Sequence, residues 1–277
     1  MAAVQITKYS GRTETYDESK LRQSLKNAGA SKPLVDETVT LVNGLLTDGI
    51  STQKIYKKAY KYLLTFSKRS AGRYRLKEAL FELGPSRYPF KKFVTELLNR
   101  LGYETEVGVT VLGHCITHDI DVIAQNDDAY ILVECKFFNR DEQRCNVKVP
   151  LYFQSQFLDL KQKNSTRPEI EDKINKGWLV TNTRFTYDAE EYGNCVGLKL
   201  LSWDLPKKRG IKDLVEFLNL YPVTCLSSLT KKEKNQLIDH DILFCSQIRE
   251  DKECLKSAGI NPKQVNRVAK EAELICS

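Results

Sequence analysis

No run of about 18 apolar residues occurs in the 277-residue chain, so no membrane-spanning helix and no membrane partner are expected. Histidine is scarce, with three residues, and none of the eight cysteines belongs to a CxxC pair. The ligand spacing of a structural zinc site is therefore missing, and the cysteines read as reduced, mostly buried thiols. A GxxxxGK phosphate loop is also absent, which excludes a P-loop ATPase. The opening MAAVQITKYSG lacks the basic start and apolar stretch of a secretory signal, so a cytoplasmic location is expected.

What is present is positive charge: 43 Lys and Arg against 36 Asp and Glu, a net of +7. Such a balance suits a polyanionic partner. The excess is dispersed, however, and clusters such as Lys207-Lys208-Arg209 and Lys231-Lys232 are short enough to be ordinary solvated surface.

Three segments are expected. In residues 1–85, VQITKYSGRTETYD reads as a hairpin turning at Ser10-Gly11. Four helical patterns follow. The first places Leu21, Leu25 and Ala28 on one face, and the second Val35, Val39, Val42 and Leu46. The third is capped by Ser51 or Thr52, and the fourth, AGRYRLKEALFEL, stops at Gly84-Pro85. Residues 86–221 alternate helix and strand patterns. They begin with an amphipathic helix carrying Phe90, Phe93, Leu97, Leu98 and Leu101, and include a helix over VPLYFQSQFLDLKQKN and a buried strand in KGWLVTNTRFT. This is an α/β (α+β) arrangement with helices on the faces of a sheet. Residues 222–277 read as short helices joined by tight turns.

The stretch HDIDVIAQNDDAYILVECKFF holds two strands in which Asp119, Asp121, Glu134 and Lys136 interrupt an apolar pattern. A turn at Asn126-Asp127 sets Asp119 opposite Glu134, with Asp121 diagonal to it, and gathers all four charges on one face. The carboxylates repel one another, so a positive charge must offset them. Either the strand ends fray and Lys136 pairs with a carboxylate, or the carboxylates hold a divalent cation. Oxygen donors without His or Cys suit magnesium or manganese. Such an ion polarises a phosphodiester, and Lys136 would stabilise charge or position the attacking water.

Asp121 with Glu134-Cys135-Lys136, behind an N-terminal helix, resembles the PD-(D/E)xK nuclease superfamily. FVTELLNRLGY, HDIDVIA, VECKFF and WLVTNTRFT are similar to Mrr-type restriction endonucleases. The resemblance implies a mixed sheet flanked by helices and a Mg2+- or Mn2+-dependent endodeoxyribonuclease acting on DNA. It assigns Asp121 and Glu134 to the metal and makes Lys136 the catalytic lysine, with Asp119 in support. It also implies a polar residue on the following helix, for which Gln154 and Gln156 both qualify. Relatives often carry an acidic residue after the helix phenylalanine. Here Phe90 is followed by Lys91, leaving Glu96 as a substitute. His114 and His118 are not read as catalytic, and Trp178 and Trp203 read as packing residues.

Over most of residues 4–85, ITKYSGRTETYDESKL and GISTQKIYKKAY resemble the ATP-cone, a nucleotide-sensing domain. That resemblance implies ATP or dATP as effector, with Lys8 and Lys20 on the phosphates and Glu14 and Asp17 as hydrogen-bonding groups. Thr52 and Tyr56 would line the site. Tyr9 replaces the usual second basic residue, which weakens triphosphate binding; a cone retained only for docking is the alternative. LKSAGINPKQVNRVAKEA faintly resembles a helix-hairpin-helix module, implying DNA phosphate contacts by Lys263 and Arg267, with protein docking as the alternative.

The combined expectation is a nucleotide-regulated DNA endonuclease of restriction, defence or DNA processing, for which a homodimer would suit double-strand cleavage. The rivals are a non-catalytic, nucleotide-responsive DNA-binding regulator and a branch-specific DNA resolvase.

Overall fold

The computed structural model describes residues 4–8, 11–84, 86–162 and 174–277. Tyr9, Ser10 and Pro85 lie outside the described residues, as do the last two positions of the helix expected to end at Asn164. The chain forms two compact units, Met1–Ala79 together with Tyr221–Ser277, and Leu80–Leu220. The segment expected to form a third part, residues 222–277, packs into one compact unit with the N-terminal residues.

In the first unit, β1 (Gln5–Thr7) and β2 (Thr13–Thr15) form the expected hairpin, with Ile6 opposite Glu14. Helix α1 (Glu18–Asn27) starts where the Asp17 carboxylate accepts from the Ser19 backbone N–H at 2.9 Å. Helix α2 (Lys32–Asn43) follows, then β3 (Ile50–Ser51), a short strand parallel to β1 that the sequence pattern does not announce. Ser51 caps α3 (Thr52–Phe66) by accepting from the Lys54 N–H. Leu21, Leu25, Val35, Val39, Val42, Ala59 and Leu63 close the core. The fourth expected helix is two, α4 (Lys68–Tyr74) and α5 (Leu76–Phe81), broken at Arg75.

In the second unit, α6 (Tyr88–Arg100) precedes β4 (Glu104–Leu112), β5 (Thr117–Asn126) and β6 (Ala129–Lys136). Then come β7 (Arg144–Cys145), α7 (Lys148–Lys161), β8 (Ile174–Thr181) and β9 (Arg184–Phe185). Helix α8 (Tyr187–Cys195), β10 (Lys199–Leu201) and α9 (Ile211–Leu218) complete it. The main sheet runs β10-β8-β6-β5-β4. It is antiparallel from β4 to β6 and parallel from β6 to β10. Phe153, Phe157 and Leu160 of α7 pack over Ile123, Leu132, Leu179 and Leu200. A side chain at Gly177 has no place under that helix, since a Cβ would lie 2.7 Å from Leu198 Cδ2 and 3.2 Å from Phe153 Cε1. Phe90, Phe93, Leu97 and Leu98 of α6 are fully buried, as their spacing predicts.

The chain returns to the first unit at Tyr221 and adds α10 (Lys231–Asp239), α11 (Cys245–Glu250), α12 (Cys254–Ser257) and α13 (Pro262–Cys276). Helix α13 lies so close to α4 that a Cβ at Gly72 would come 2.5 Å from Ile275 Cδ1. Arg73 Nε donates to the Ile275 carbonyl at 2.9 Å, and Thr224 Oγ1 donates to the Ala79 carbonyl at 2.7 Å. These contacts join residues 202 and 145 positions apart, which no local pattern reveals.

Candidate active site

The β5–β6 hairpin turns one residue later than expected. Asn126 pairs with Ala129 and Val122 with Val133, so the next step of the register sets Asp121, not Asp119, against Glu134. The Asn126 side chain fixes this turn by accepting from the Asp128 N–H at 3.1 Å. Beyond Val122 the ladder opens, and the Asp121 carboxylate accepts from the Cys135 N–H at 2.8 Å in place of a backbone bond.

Asp121 also sits at an irregularity on its other side. Pairing with β4 passes from Val107–Val122 to Val109–Ile120, skipping Gly108, which has φ +67°. A left-handed residue there suits glycine. Ile120 and Ile123 both join the core cluster of Leu132, although three positions apart, so alternation slips between them. Asp119 therefore leaves the face of Leu132 and accepts from Thr110 Oγ1 at 2.8 Å. The expected gathering of Asp119, Asp121 and Glu134 is thus corrected to Asp121 and Glu134, because the irregular strand turns Asp119 away.

The offsetting charge that the carboxylates require is Lys91, whose Nζ lies 2.5 Å from Asp121 Oδ1. It stands on α6 at the position where relatives are expected to carry an acid. Glu96, the expected substitute, is bound instead to Arg100 on its own helix at 2.8 Å. Glu134 is mostly buried, and its carboxyl is pushed up to about 7, first by burial and then by the charge of Asp121. Lys136, Lys91 and Arg87 act in the opposite direction. Lys136 is half-buried and, among the described residues, has no ion-pair partner.

Two asparagine and glutamine contacts hold the frame. Gln156 Nε2 donates to the Asp119 carbonyl at 3.2 Å, while the buried Oε1 of Gln154 has no hydrogen-bond partner among the described residues. Asn182, which the sequence reading passed over inside WLVTNTRFT, accepts from the Phe138 N–H at 2.9 Å and donates to its carbonyl at 2.8 Å. It thereby fixes the chain leaving Lys136. A buried amide beside a Thr-Asn-Thr strand end was the available signal. His118 bonds Asp159 of α7 at 2.6 Å, and Asp159 also accepts from the Cys115 N–H, holding its carboxyl down to about 2. That triangle ties the β4–β5 turn to α7, with the exposed Cys115 thiol also bonded to Asp159.

The residues present fit a divalent cation: both donors are carboxylates, and Glu134 is raised by burial and then by the Asp121 charge, both of which a cation would offset. Among the described residues, no group of three or more His, Cys, Asp and Glu side chains gathers for a metal. Asp121 has both oxygens engaged by Lys91 and Cys135. An ion binding there must displace the ammonium. Lys91→Ala is accordingly expected to bind Mn2+ about fivefold more tightly, the worth of a partly exposed ion pair of ~1 kcal/mol. Calorimetry would measure it, and weaker binding would show that the lysine supports the site.

A pH dependence follows for the metal-free protein. Glu134 in the folded state lies above its ordinary 4.5, at about 7, so the folded protein holds the extra proton between those values. Stability then falls as pH rises from about 4.5 to about 7 and stays low above it. Melting in chelator should show this slope in wild type and a flatter one in Glu134→Gln; equal slopes would remove Glu134 as its source.

Elsewhere, Lys8 and Lys20 both approach Glu14, at 2.6 and 3.9 Å, and Asp17 serves as the α1 cap. Thr52 opens α3, and Tyr56 is stacked between Tyr60 and Tyr74 with centroids 6.2 and 5.1 Å away. Burial, followed by Glu78, raises the Tyr56 phenol. Arg267 is occupied by the Ser228 carbonyl at 3.2 Å and Gln264 Oε1 at 2.8 Å, while the Lys263 N–H bonds the Asn261 cap.

Residues 85–204 match a restriction endonuclease family, and residues 221–276 match the family described as AF1548-like, C-terminal. An uncharacterized protein of Archaeoglobus fulgidus is 33% identical over 183 residues, spanning 66% of this chain and 99% of its own. The chain belongs to the AF1548-like family. The crystal structure of AF1548, a protein of unknown function, is similar to this family member with a TM-score of 0.57 at 32% identity, covering 69% of this chain and 98% of that one. The mixed sheet of this AF1548-like chain is thus a restriction-endonuclease-like fold. Among its described residues, no helix is long and apolar enough to cross a membrane.

Proposed function

We propose that this AF1548-like protein is a metal-dependent DNA endonuclease that hydrolyses phosphodiester bonds in DNA restriction, defence or processing. The observation that carries the reading is the meeting of Asp121, Glu134 and Lys136, the last without an ion-pair partner among the described residues, where β5 and β6 separate inside a restriction-endonuclease domain. Asp121 and Glu134 would hold Mg2+ or Mn2+, which supplies a polarised phosphate and a more acidic water. Lys136 would place its ammonium against the charge that develops on the phosphate. Gln156, through the Asp119 carbonyl, would keep β5 in position, and Asn182 would do the same for the end of β6. Gln154, whose buried carbonyl oxygen has no hydrogen-bond partner among the described residues, would be the group that turns toward substrate. ATP or dATP at an ATP-cone-like module would act as effector through Lys8, Glu14, Asp17, Lys20, Thr52 and Tyr56, and a homodimer would deliver cuts to both strands.

The test is cleavage of supercoiled plasmid by the full chain with Mg2+ or Mn2+, with and without chelator, ATP and dATP. Metal-dependent nicking or linearisation is expected. One observation favours a second reading: Lys91 already supplies a positive charge to Asp121, as a DNA-binding regulator without cutting would allow. Failure to cut linear, methylated or branched DNA with either ion would select it.

A further inference from the structure

Away from the carboxylates, the edge strand β10 and helix α9 enclose a cavity of about 630 Å³. This is within the roughly 300–1,000 Å³ of small-molecule sites. Leu179 and Leu200 face α7, so their neighbours Trp178, Lys199 and Leu201 face the other side of the sheet, where the cavity lies. Trp178 is 3% exposed. Lys199 stands directly across from it in the ladder, with its Nζ 3.7 Å from the indole centroid, and Tyr103 meets the ring edge-on at 5.9 Å.

Two features of this cavity are left unbalanced. The first is charge. Lys199, Lys208 and Arg209 line it against a single acid, Asp213, whose carboxylate accepts from the Gly210 N–H at 3.0 Å at the start of α9. The Lys199 ammonium is held below the ordinary lysine range by burial and then by Lys176 and Arg209. The second is apolar surface. Phe217 lies one helical turn beyond Asp213 on the same face of α9 and is 78% exposed. The loop that presents the cations follows a set course. Lys208 adopts φ +66°, and a Cβ at Gly210 would lie 2.7 Å from the Trp203 carbonyl oxygen. A left-handed lysine persists only where its surroundings demand it.

We propose that this cavity binds a nucleoside phosphate, with the base against Phe217 and the apolar wall and the phosphate on Lys208 and Arg209. Trp178 serves as the floor, since Lys199 already covers its face. A flat aromatic body carrying negative charge satisfies both imbalances, whereas an inorganic anion satisfies one. The same chemistry comes from a free mononucleotide or from one residue of a nucleic-acid strand.

The experiment is calorimetry on the full chain in chelator, so that binding is read without cleavage. The probes are dAMP and dCMP, a five-residue single-stranded oligodeoxynucleotide, and orthophosphate. The variants are Lys208→Ala/Arg209→Ala and Phe217→Ala, all at exposed positions, with Lys231→Ala as a control for general charge. At least tenfold weaker binding in the double variant and at least threefold in Phe217→Ala, with the control unchanged, is the expected result. Sensitivity of the mononucleotides identifies a free ligand, and sensitivity of the oligonucleotide alone identifies a strand. Binding that ignores these variants, no binding of either probe, or orthophosphate binding as tightly as dAMP would overturn the proposal.

Discussion

Lys136→Ala should slow plasmid cleavage by at least about a hundredfold while leaving the fold intact. Removing one preorganised donor to a developing oxyanion costs about 10²–10³ in rate, and Lys136 is the donor whose ammonium pairs with no carboxylate among the described residues. For the same reason its truncation breaks no ion pair, so melting should change by no more than ~0.5 kcal/mol. The loss has a second component. Lys136 is the largest of the positive influences that lower the Glu134 carboxyl, so the variant should hold the Glu134 proton to a higher pH. The cleavage profile of any residual activity should therefore shift toward alkaline pH. Single-turnover rates across pH, together with melting curves, separate these effects. A variant that cuts at the wild-type rate would remove Lys136 from the reaction.

Glu271→Ala should destabilise the first unit by about 3 kcal/mol, because it strands buried backbone donors. Glu271 is 1% exposed and accepts from the Ser227 N–H and Oγ at 2.6 Å each and from the Ser228 N–H at 3.0 Å. Alanine leaves two amides facing a space too apolar to replace the carboxylate. Glu273→Ala, two positions along the same helix and exposed, should stay within about 0.5 kcal/mol. Denaturation midpoints decide the matter, and equal effects of the two substitutions would mean the Glu271 contacts contribute nothing beyond helix propensity.

The sequence carries the second unit well because its elements are local and strongly patterned. The apolar spacing of α6 corresponds directly to its buried face, and the continuous apolar run of β6 to a central strand buried on both faces. The hairpin was legible to within one residue of its turn, since Asn126-Asp127-Asp128 offers two equivalent places to bend. That shift preserves which side chains share a face in a regular ladder. The loss of Asp119 from the group comes instead from the irregularity opposite Gly108, which needs three strands to express itself. Strand β4 went unseen because Glu104, Thr105, Glu106 and Gly108 dilute its pattern. Lys91 was visible as a missing acid. The same reasoning that demanded a positive charge beside Asp121 could have named it, had the helix been placed against β5. The cavity of Trp178, Lys208 and Phe217 draws on separate stretches and has no sequence signature at all.

The interleaved order of the two units has a consequence for synthesis. The sheet of residues 80–220 is complete in one continuous stretch and emerges from the ribosome able to close its core. The surface of α4 around Gly72, made long before, stays uncovered until Ile275 is delivered. The unit whose translation starts first is therefore finished last.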